Sequence, residues 1–476
     1  MRVIEGVMRR ISIIIITTIL FFNCKGQDST NNAYSLKEAQ TYAIKNNYQV
    51  QMASIEIGIS QKTVSSLIAL GMPQVEGSGS FQHFIDIPTS VVPADAFGFP
   101  NWFNQWINDV SQSTTIYPNA PATQEGGFQE LQFGSRYSST AGINIRQLIF
   151  DGSYLVGLKG AKTFVQVNEQ ILVKTEIEIK ALVAKAYYTV LVSHENVKIT
   201  NTNVKNLRKT LKETEVLWIN GFMEENDISQ IKLMVANAES ALINAKQQEK
   251  ISRNILKFQM GLDISTKITP TDKLENLIIE SLENAIRDEF SPEAHIDFQL
   301  ARTQVTLMSL KQKAEKSKFL PTVDGFFNHQ QNSFRNEFSF FDGGKWYPST
   351  LWGLNISVPL FGGFGQKAVI QRASLELEKA EIQQSQVNQS LKLQMQTALM
   401  EYTAAIEHYE NQKQNLDLAE NIRDLTEIKF QQGVASSTDL TMAENQYSST
   451  QSNYIQAMFR LLNAKSNLDK TAGQLL

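Results

Sequence analysis

Residues 352–360 alternate between apolar side chains and small or polar ones, in the order Trp352-Gly353-Leu354-Asn355-Ile356-Ser357-Val358-Pro359-Leu360. Successive side chains of a β-strand point to opposite faces, so this segment predicts a strand with one apolar face. Soon afterwards the chain runs from Gln366 to Gln431, 66 residues, without a proline or a glycine. A helix of that length would be about 99 Å long. The sequence therefore predicts an amphipathic strand that leads into a very long helix.

The long segment has the apolar spacing of a coiled coil. Apolar or small side chains recur three and four residues apart at Leu391, Met395, Ala398, Tyr402, Ala405, Tyr409, Leu416 and Ala419. This spacing places them along one seam of a helix that packs against other helices. The segment from Ser153 to Asn220 has nearly the same length. We therefore expect two long helices of the same kind.

An internal repeat organises the chain. Ile143-Asn144-Ile145 matches Leu354-Asn355-Ile356 at an offset of 211, and Glu215 to Gly221 matches Glu427 to Gly433 at an offset of 212. In each copy an acidic residue lies six positions beyond the glycine, at Asp227 and Asp439. The repeat predicts a first unit at 34–261, a linker at 262–291 and a second unit at 292–476. Each unit would contain helices and two strands, near 73–86, 137–150, 321–331 and 350–361.

The predicted strands resemble those of outer-membrane proteins, which alternate over about ten residues. Four strands are too few to close a barrel with a lumen, and an open sheet edge is not stable in lipid. Several copies must then share one sheet, and three copies would supply twelve strands. The fold class that follows is mainly α with a transmembrane β-barrel, in which the strands are joined to a rod of long packed helices.

Composition and charge exclude several classes of protein. A net charge of −4 argues against a nucleic-acid binder, and the five histidines show no metal-ligand spacing. No nucleophile motif or phosphate loop is present, so we expect neither an enzyme nor a cofactor. Residues 1–26 predict a secretory signal peptide. Two processing routes stay open: simple cleavage after Gly26, or lipidation of Cys24 as in bacterial lipoproteins.

The repeat resembles that of the TolC family of outer-membrane efflux proteins. The resemblance spans about Tyr34 to Ala472. It rests on the opening Ser35-Leu36-Lys37-Glu38-Ala39, the strand entries at Pro73 and Pro321, the exits at Phe150 and Phe361, and the two hairpins with glycine. It implies a homotrimer in the outer membrane of a Gram-negative bacterium, with a 12-stranded barrel that is continued into the periplasm by a long α-helical coiled-coil barrel. It also implies docking to a periplasmic adaptor protein and to an inner-membrane pump, either proton-driven or ATP-driven. The channel of such a tripartite efflux or type I secretion system is a passive exit duct.

The same resemblance suggests functional residues at the periplasmic mouth. Asp439 matches the first of two aspartates that form anionic rings in some family members, whereas Met442 occupies the second position. We therefore expect Asp439, with Asp227 nearby, to form an acidic entrance; the alternative is that each acid only caps its helix. The hairpin tips, Gly221 with Phe222 and Gly433 with Val434, are expected adaptor contacts; the alternative is that they are simple turns.

The sequence also predicts an external loop, and two other functions are compatible with part of the pattern. The loop at 86–134 should face the exterior, either as a lid or receptor surface or as a packed surface loop. A periplasmic adaptor also has long helical hairpins, and so does a coiled-coil structural protein of the cell envelope. An adaptor lacks the duplicated order of helix, strand, strand and helix, and a structural protein would not conduct ions.

Overall fold

The computed structural model describes residues 32–93, 106, 109–110, 128–132, 134–283, 290–339 and 343–473. This part of the chain is mainly helical. Its helices are α1 Leu36–Asn46, α2 Tyr48–Leu70, α3 Gly152–Ile219, α4 Glu225–Met260, α5 Leu274–Glu283, α6 Ile296–Ser317, α7 Gly365–Gln431 and α8 Ser437–Thr471. Its strands are β1 Ala33–Tyr34, β2 Gln74–His83, β3 Thr89–Pro93, β4 Phe128–Gln132, β5 Tyr137–Phe150, β6 Thr269–Pro270, β7 Thr322–Arg335 and β8 Tyr347–Ser357.

The chain divides into two compact units. The sheet unit consists of Ile57–Val167 and Arg302–Gln383. The helical unit consists of the chain up to Glu56, Asn168–Ala301 and the chain from Gln384 onward.

A four-stranded sheet in the order β2-β5-β7-β8 forms the core of the sheet unit, and each neighbouring pair is antiparallel. The register aligns the apolar side chains across the strands. Val75 lies opposite Ile145, Ile145 opposite Phe327, and Phe327 opposite Trp352. The neighbouring row consists of the polar residues Glu76, Asn144 and Asn328 and ends at Leu351 in β8. At these rows one face of the sheet is therefore apolar and the other mainly polar, which is the alternation that the sequence predicted.

Both outer strands of this sheet have an unpaired edge within one chain, because β2 pairs only with β5 and β8 only with β7 among the described residues. The apolar face is open to its surroundings, and Trp352 is 78 % exposed. Strand β8 ends at Ser357, ahead of Val358 and Leu360, which the alternation had included. Pro359 lacks the N–H group that a continuing ladder requires.

The sheet unit also contains most of α6 and the first part of α7. In the sheet unit α6 and α7 contact each other through Gln312 Nε2, which donates to Ser374 Oγ at 2.8 Å, and through the Lys311–Glu376 ion pair at 2.6 Å. The side chain of Gln147 in β5 donates to the carbonyl oxygen of Gly71 at 2.6 Å. These bonds connect the strand ends to the helices that enter and leave them.

The helical unit has one large core, to which α1, α3, α4, α5, α7 and α8 contribute. Its fully or almost fully buried members include Ala39, Val183, Tyr187, Leu256, Met260, Ile278, Ala405, Leu461 and Leu468. Small residues such as alanine occur at many of these positions. They allow helix axes to approach closely, as in the coiled-coil packing that the spacing indicated.

Asn47 interrupts the helical segment from Leu36 to Leu70 and divides it into α1 and α2. The backbone of Asn47 is extended (ψ 135°), and its side-chain Oδ1 accepts from Gln49 N at 2.8 Å, which caps α2. Its Nδ2 donates to the carbonyl oxygen of Gln259 at 2.7 Å. Nearby, a Cβ on Gly261 would lie 2.2 Å from the oxygen of Asn46. The break therefore fits against the end of α4.

The long helix of each repeat contributes a tyrosine whose hydroxyl forms a hydrogen bond with the linker. Tyr187 of α3 contacts Asp272, whose backbone N donates to the tyrosine hydroxyl at 3.2 Å. Tyr402 of α7 donates to the carbonyl oxygen of Ser281. The linker carries β6, which pairs in parallel with β1, and α5, whose Leu274 and Ile278 are buried. The linker thus packs into the core of the helical unit.

Several predictions lie outside the described residues. They include the signal peptide, Cys24 and most of the external loop, of which β3 and β4 pair as an antiparallel ribbon. No helix in the described part of the chain has an apolar stretch sufficient to cross a bilayer. In the same part of the chain, no cluster of His, Cys, Asp and Glu has an arrangement that would hold a metal ion.

Candidate functional site

Each long helix ends in a turn that reverses the chain at a glycine. After α3, Gly221 has a φ of +80°, and Phe222 N donates to the carbonyl oxygen of Leu217 at 2.9 Å. After α7, Gly433 has a φ of +74°, and Val434 N donates to that of Lys429 at 2.8 Å. The two bonds have the Schellman pattern, which needs a left-handed residue and so favours glycine. The sequence located both turns correctly.

The helices that follow the turns begin with an acidic residue that accepts hydrogen bonds from the backbone. Asp439 Oδ2 accepts from Ser436 N at 2.9 Å and from Ser436 Oγ at 2.7 Å, and Ser436 Oγ accepts from Asp439 N at 3.1 Å. This reciprocal arrangement is a capping box. In the first repeat, Asp227 Oδ2 accepts from Glu224 N at 3.1 Å. Both acids are therefore placed by the start of a helix.

Hydrogen bonding also favours the charged form of Asp439. The backbone N–H and then the hydroxyl of Ser436 lower the pKa of this carboxyl below its ordinary value. Asp439 is exposed, so the residue presents a negative charge to solvent at neutral pH.

A small apolar cluster joins the two hairpin tips. Phe430, in the last turn of α7, is 2 % exposed and packs with Ile231 of α4 and Leu440 of α8. Leu211, Met223 and Ala435 border this cluster. Since Ile231 lies one turn beyond Asp227 and Leu440 follows Asp439, the first turns of α4 and α8 are close together. The structure therefore brings the two predicted acidic residues into one region.

Polar contacts between the repeats support the same arrangement. Thr210 of α3 donates through Oγ1 to Glu427 of α7 at 3.2 Å, and Gln431 donates to Glu213 at 3.1 Å. Thr441 of α8 contacts Met234 of α4, with 3.3 Å between Oγ1 and Sδ. The hairpins thus form one paired tip within the helical unit.

The predicted docking side chains project away from this cluster. Phe222 is 79 % exposed and Val434 is 75 % exposed. Met442, which replaces the second acidic residue of the family pattern, is exposed as well. The tip therefore presents apolar side chains around an acidic first turn.

A charged cluster that the sequence analysis missed lies within α7 and α8, near the tip. The guanidinium of Arg423 stacks over the ring of Tyr447 at 4.3 Å and donates to Asp424 at 2.5 Å. Glu444 is 9 % exposed, and burial raises the pKa of its carboxyl to about 7. Glu427 and Asp424 raise this pKa further, while Arg423 opposes them. Only the packing of the two helices reveals the cluster, because Arg423 and Glu444 belong to different helices.

Comparison with protein families identifies the family to which the chain belongs. The model of the family described as "Outer membrane efflux protein" matches residues 114–262 and 293–474, more than half of the chain. The chain belongs to this family, and the resemblance to TolC-type channels is confirmed. It is an efflux protein of the outer membrane of a Gram-negative bacterium. Comparison with curated protein sequences finds no significant match.

Solved structures of outer-membrane channels have the same fold. VceC from Vibrio cholerae has 16 % sequence identity and a TM-score of 0.65, with 92 % of this chain and 96 % of VceC covered. The CmeC outer membrane channel of Campylobacter jejuni has 14 % identity and a TM-score of 0.69, with 92 % and 85 % covered. The open state of MtrE from Neisseria gonorrhoeae has 14 % identity and a TM-score of 0.65, with 92 % and 88 % covered.

Proposed function

We propose that this protein is a passive exit duct, assembled as a homotrimer, through which an inner-membrane pump expels its substrates. The observation that carries the proposal is the four-stranded sheet with one apolar face and two unpaired edges. In lipid, backbone N–H and C=O groups must all be paired, so an open edge is costly. Pairing β8 of one copy with β2 of the next would satisfy both edges and close a twelve-stranded barrel.

The alternation of faces restricts how the copies pair. Apolar side chains are at odd numbers in β2, such as Val75, and at even numbers in β8, such as Trp352 and Leu354. A continuous apolar outer face therefore requires that odd residues of β2 lie opposite even residues of β8. A slip of one residue would turn every side chain of the incoming strand to the wrong face.

We further propose that the paired tip is the periplasmic mouth, which receives the adaptor. Phe222 and Val434 offer exposed apolar contacts on two turns of fixed conformation, which lowers the ordering cost of binding. Asp439 and Asp227 form the acidic entrance. Six such residues in a trimer would attract cations and repel anions. The protein itself performs no chemistry in this scheme, and the pump supplies the energy.

Reconstitution in a planar bilayer tests the duct. The purified protein should form a detergent-stable trimer and conduct ions with discrete steps. A monomer whose four strands are closed on themselves would contradict the proposal.

A second experiment tests the tip. Phe222→Ser combined with Val434→Ser should abolish export and adaptor crosslinking while conductance is retained. Leu393→Ser is the matched control, because it removes a 64 % exposed apolar side chain of α7 that lies far from both turns. If the double variant exports normally, the turns do not dock the adaptor.

A further inference from the structure

The two places where the chain leaves the sheet for a long helix differ, although the repeat makes them equivalent. At the first exit, Asp151 Oδ1 accepts from Ser153 N at 2.7 Å and from Tyr154 N at 3.1 Å. A Cβ on Gly152 would lie 2.6 Å from Leu320 Cδ1. The first exit is therefore capped and closely packed.

The second exit projects apolar side chains outward. Leu360 is 92 % exposed, Phe361 78 % and Phe364 72 %. Phe364 has a φ of +65° and is the only residue other than glycine with a positive φ in the described part of the chain. This conformation is unfavourable for an L-residue other than glycine. The chain therefore has a strained backbone at Phe364, whose exposed ring packs edge-on against that of Phe361 at 5.6 Å.

The helix ends next to the sheet are strongly basic. The segments 60–70, 151–162, 307–318 and 365–376 together contain nine Lys and Arg against three acidic residues, Asp151, Glu315 and Glu376. The whole chain has a net charge of −4. The positive charge is therefore concentrated at the level of the two exits.

Three lysines of this region are exposed and form no ion pair with any described residue: Lys313, Lys316 and Lys367. Lys316 donates only to the side chain of Gln312, at 3.1 Å. By contrast, Lys311 is paired with Glu376 and Lys318 with Glu315. The three unpaired ammonium groups lie on the helix ends that flank the second exit.

We propose that the second exit and these lysines form a binding site for anionic glycerophospholipid, which we call the basic collar. It consists of Leu360, Phe361, Phe364, Lys313, Lys316 and Lys367. The rings of Phe361 and Phe364 would lie at the level of the lipid headgroups, where aromatic side chains are favourable. The ammonium groups of the three lysines would contact lipid phosphates. The inference rests on the outer-membrane location and not on the transport activity.

Two observations favour lipid over a second copy of the chain. Leu360 lies three residues beyond the end of β8, whose exposed Trp352, Leu354 and Ile356 belong to the apolar sheet face, so the exposed rings adjoin a surface suited to hydrocarbon. In addition, every copy carries the same excess of basic residues here. Like charges brought together across an interface are unfavourable, whereas phosphates neutralise them.

Lipid retention by the purified full-length protein tests the collar. The protein is exchanged into mixed micelles with equal amounts of phosphatidylglycerol and phosphatidylethanolamine, and bound lipid is counted by native mass spectrometry. Each lysine near an anionic surface strengthens binding by about fivefold. The Lys313→Gln, Lys316→Gln, Lys367→Gln triple variant should therefore lose roughly a hundredfold of the preference for phosphatidylglycerol. The control replaces Lys246, Lys250 and Lys413, three exposed lysines of the helical unit, by Gln and should retain the preference.

A second variant tests the rings without a risk to folding. Phe364→Gly suits a left-handed backbone, so it should preserve or raise the thermal midpoint while both lipids are retained less well. Wild-type lipid retention in the triple variant would overturn the proposal. A changed anion-to-cation permeability with unchanged lipid retention would also overturn it, because the lysines would then line the pore. Loss of the trimer or of conductance in the wild type would instead contradict the duct.

Discussion

The hydroxyl of Tyr187 donates a 2.9 Å hydrogen bond to the carbonyl oxygen of Tyr34, although the two residues are 153 positions apart. The same hydroxyl accepts from the backbone N of Asp272, and the carboxylate of Asp272 accepts from Leu36 N at 2.7 Å. One buried tyrosine therefore connects the start of α1, the middle of α3 and the linker. Burial raises the pKa of Tyr187 to about 12, so the hydroxyl remains a donor at physiological pH.

We expect Tyr187→Phe to lower the free energy of unfolding by about 1–3 kcal/mol, because the carbonyl of Tyr34 would be left without its buried donor. Thermal unfolding in detergent measures the effect. Tyr48→Phe is the control, since Tyr48 is 57 % exposed. Equal midpoints for the two variants would show that the Tyr187 hydroxyl does not hold the linker.

Glu444 should make the stability of the tip depend on pH. Its carboxyl has a pKa of about 7 in the folded chain and 4.5 as the ordinary value. The folded state therefore keeps a proton that the unfolded state has lost, and stability decreases as pH rises from about 4.5 to about 7. Glu444→Gln should remove this decrease and stabilise the protein at pH 8 by about 2–3 kcal/mol.

The pH profile of the thermal midpoint gives the measurement for Glu444. Glu410→Gln, at an exposed position of α7, the helix that precedes the one carrying Glu444, is the matched control and should leave the profile as in the wild type. A wild-type profile that stays flat between pH 4.5 and 8 would mean that Glu444 titrates normally in the folded protein.

Two substitutions of Asp439 separate its charge from its role as a cap. Asn retains an oxygen that accepts from Ser436 N, whereas Ala removes it. If Asp439 forms an acidic entrance, both variants should reduce cation selectivity in single-channel recordings. If it only caps α8, Asp439→Ala alone should speed hydrogen exchange in the first turn, and selectivity should stay unchanged in both.

The same cap should weaken in acid. Because hydrogen bonds lower the folded pKa of Asp439, its stabilising effect is present above the ordinary pKa of 3.8 and is lost as pH falls through the folded value. Hydrogen exchange of the first turn of α8, followed from pH 6 downward, should show this loss in the wild type. Asp439→Asn should show no such loss.

Gly433→Ala should destabilise the tip by about 1–2 kcal/mol, since an L-residue is disfavoured at a φ of +74°. Hydrogen exchange at residues 425–445 reports on this turn. The control, Gly58→Ala, places a methyl group in open space within α2 and should gain roughly 0.5–1 kcal/mol. A turn that tolerates alanine with unchanged exchange would contradict the requirement for a left-handed glycine.

Much of the tip was predictable because its geometry is local. The Schellman turns and the capping box each involve residues at most five positions apart, so glycine at 433 and the serine and aspartate at 436 and 439 indicate them directly. The apolar cluster that joins the two hairpin tips was not predictable. Phe430 contacts Ile231 of a helix about 200 residues earlier in the chain, and no sequence pattern specifies that pair.

The sequence by itself determined the repeat, the two long helices, the alternating strands and the glycine turns, because each depends on periodicity or on the backbone preference of nearby residues. Only the tertiary structure decided the break at Asn47, the fastening of the linker by Tyr187 and Tyr402, and the burial of Glu444 beside Arg423. The physical reason is that burial and hydrogen-bond partners are set by segments distant in the chain. The sequence does not distinguish a glutamate that will be exposed from one that packing of distant segments will bury.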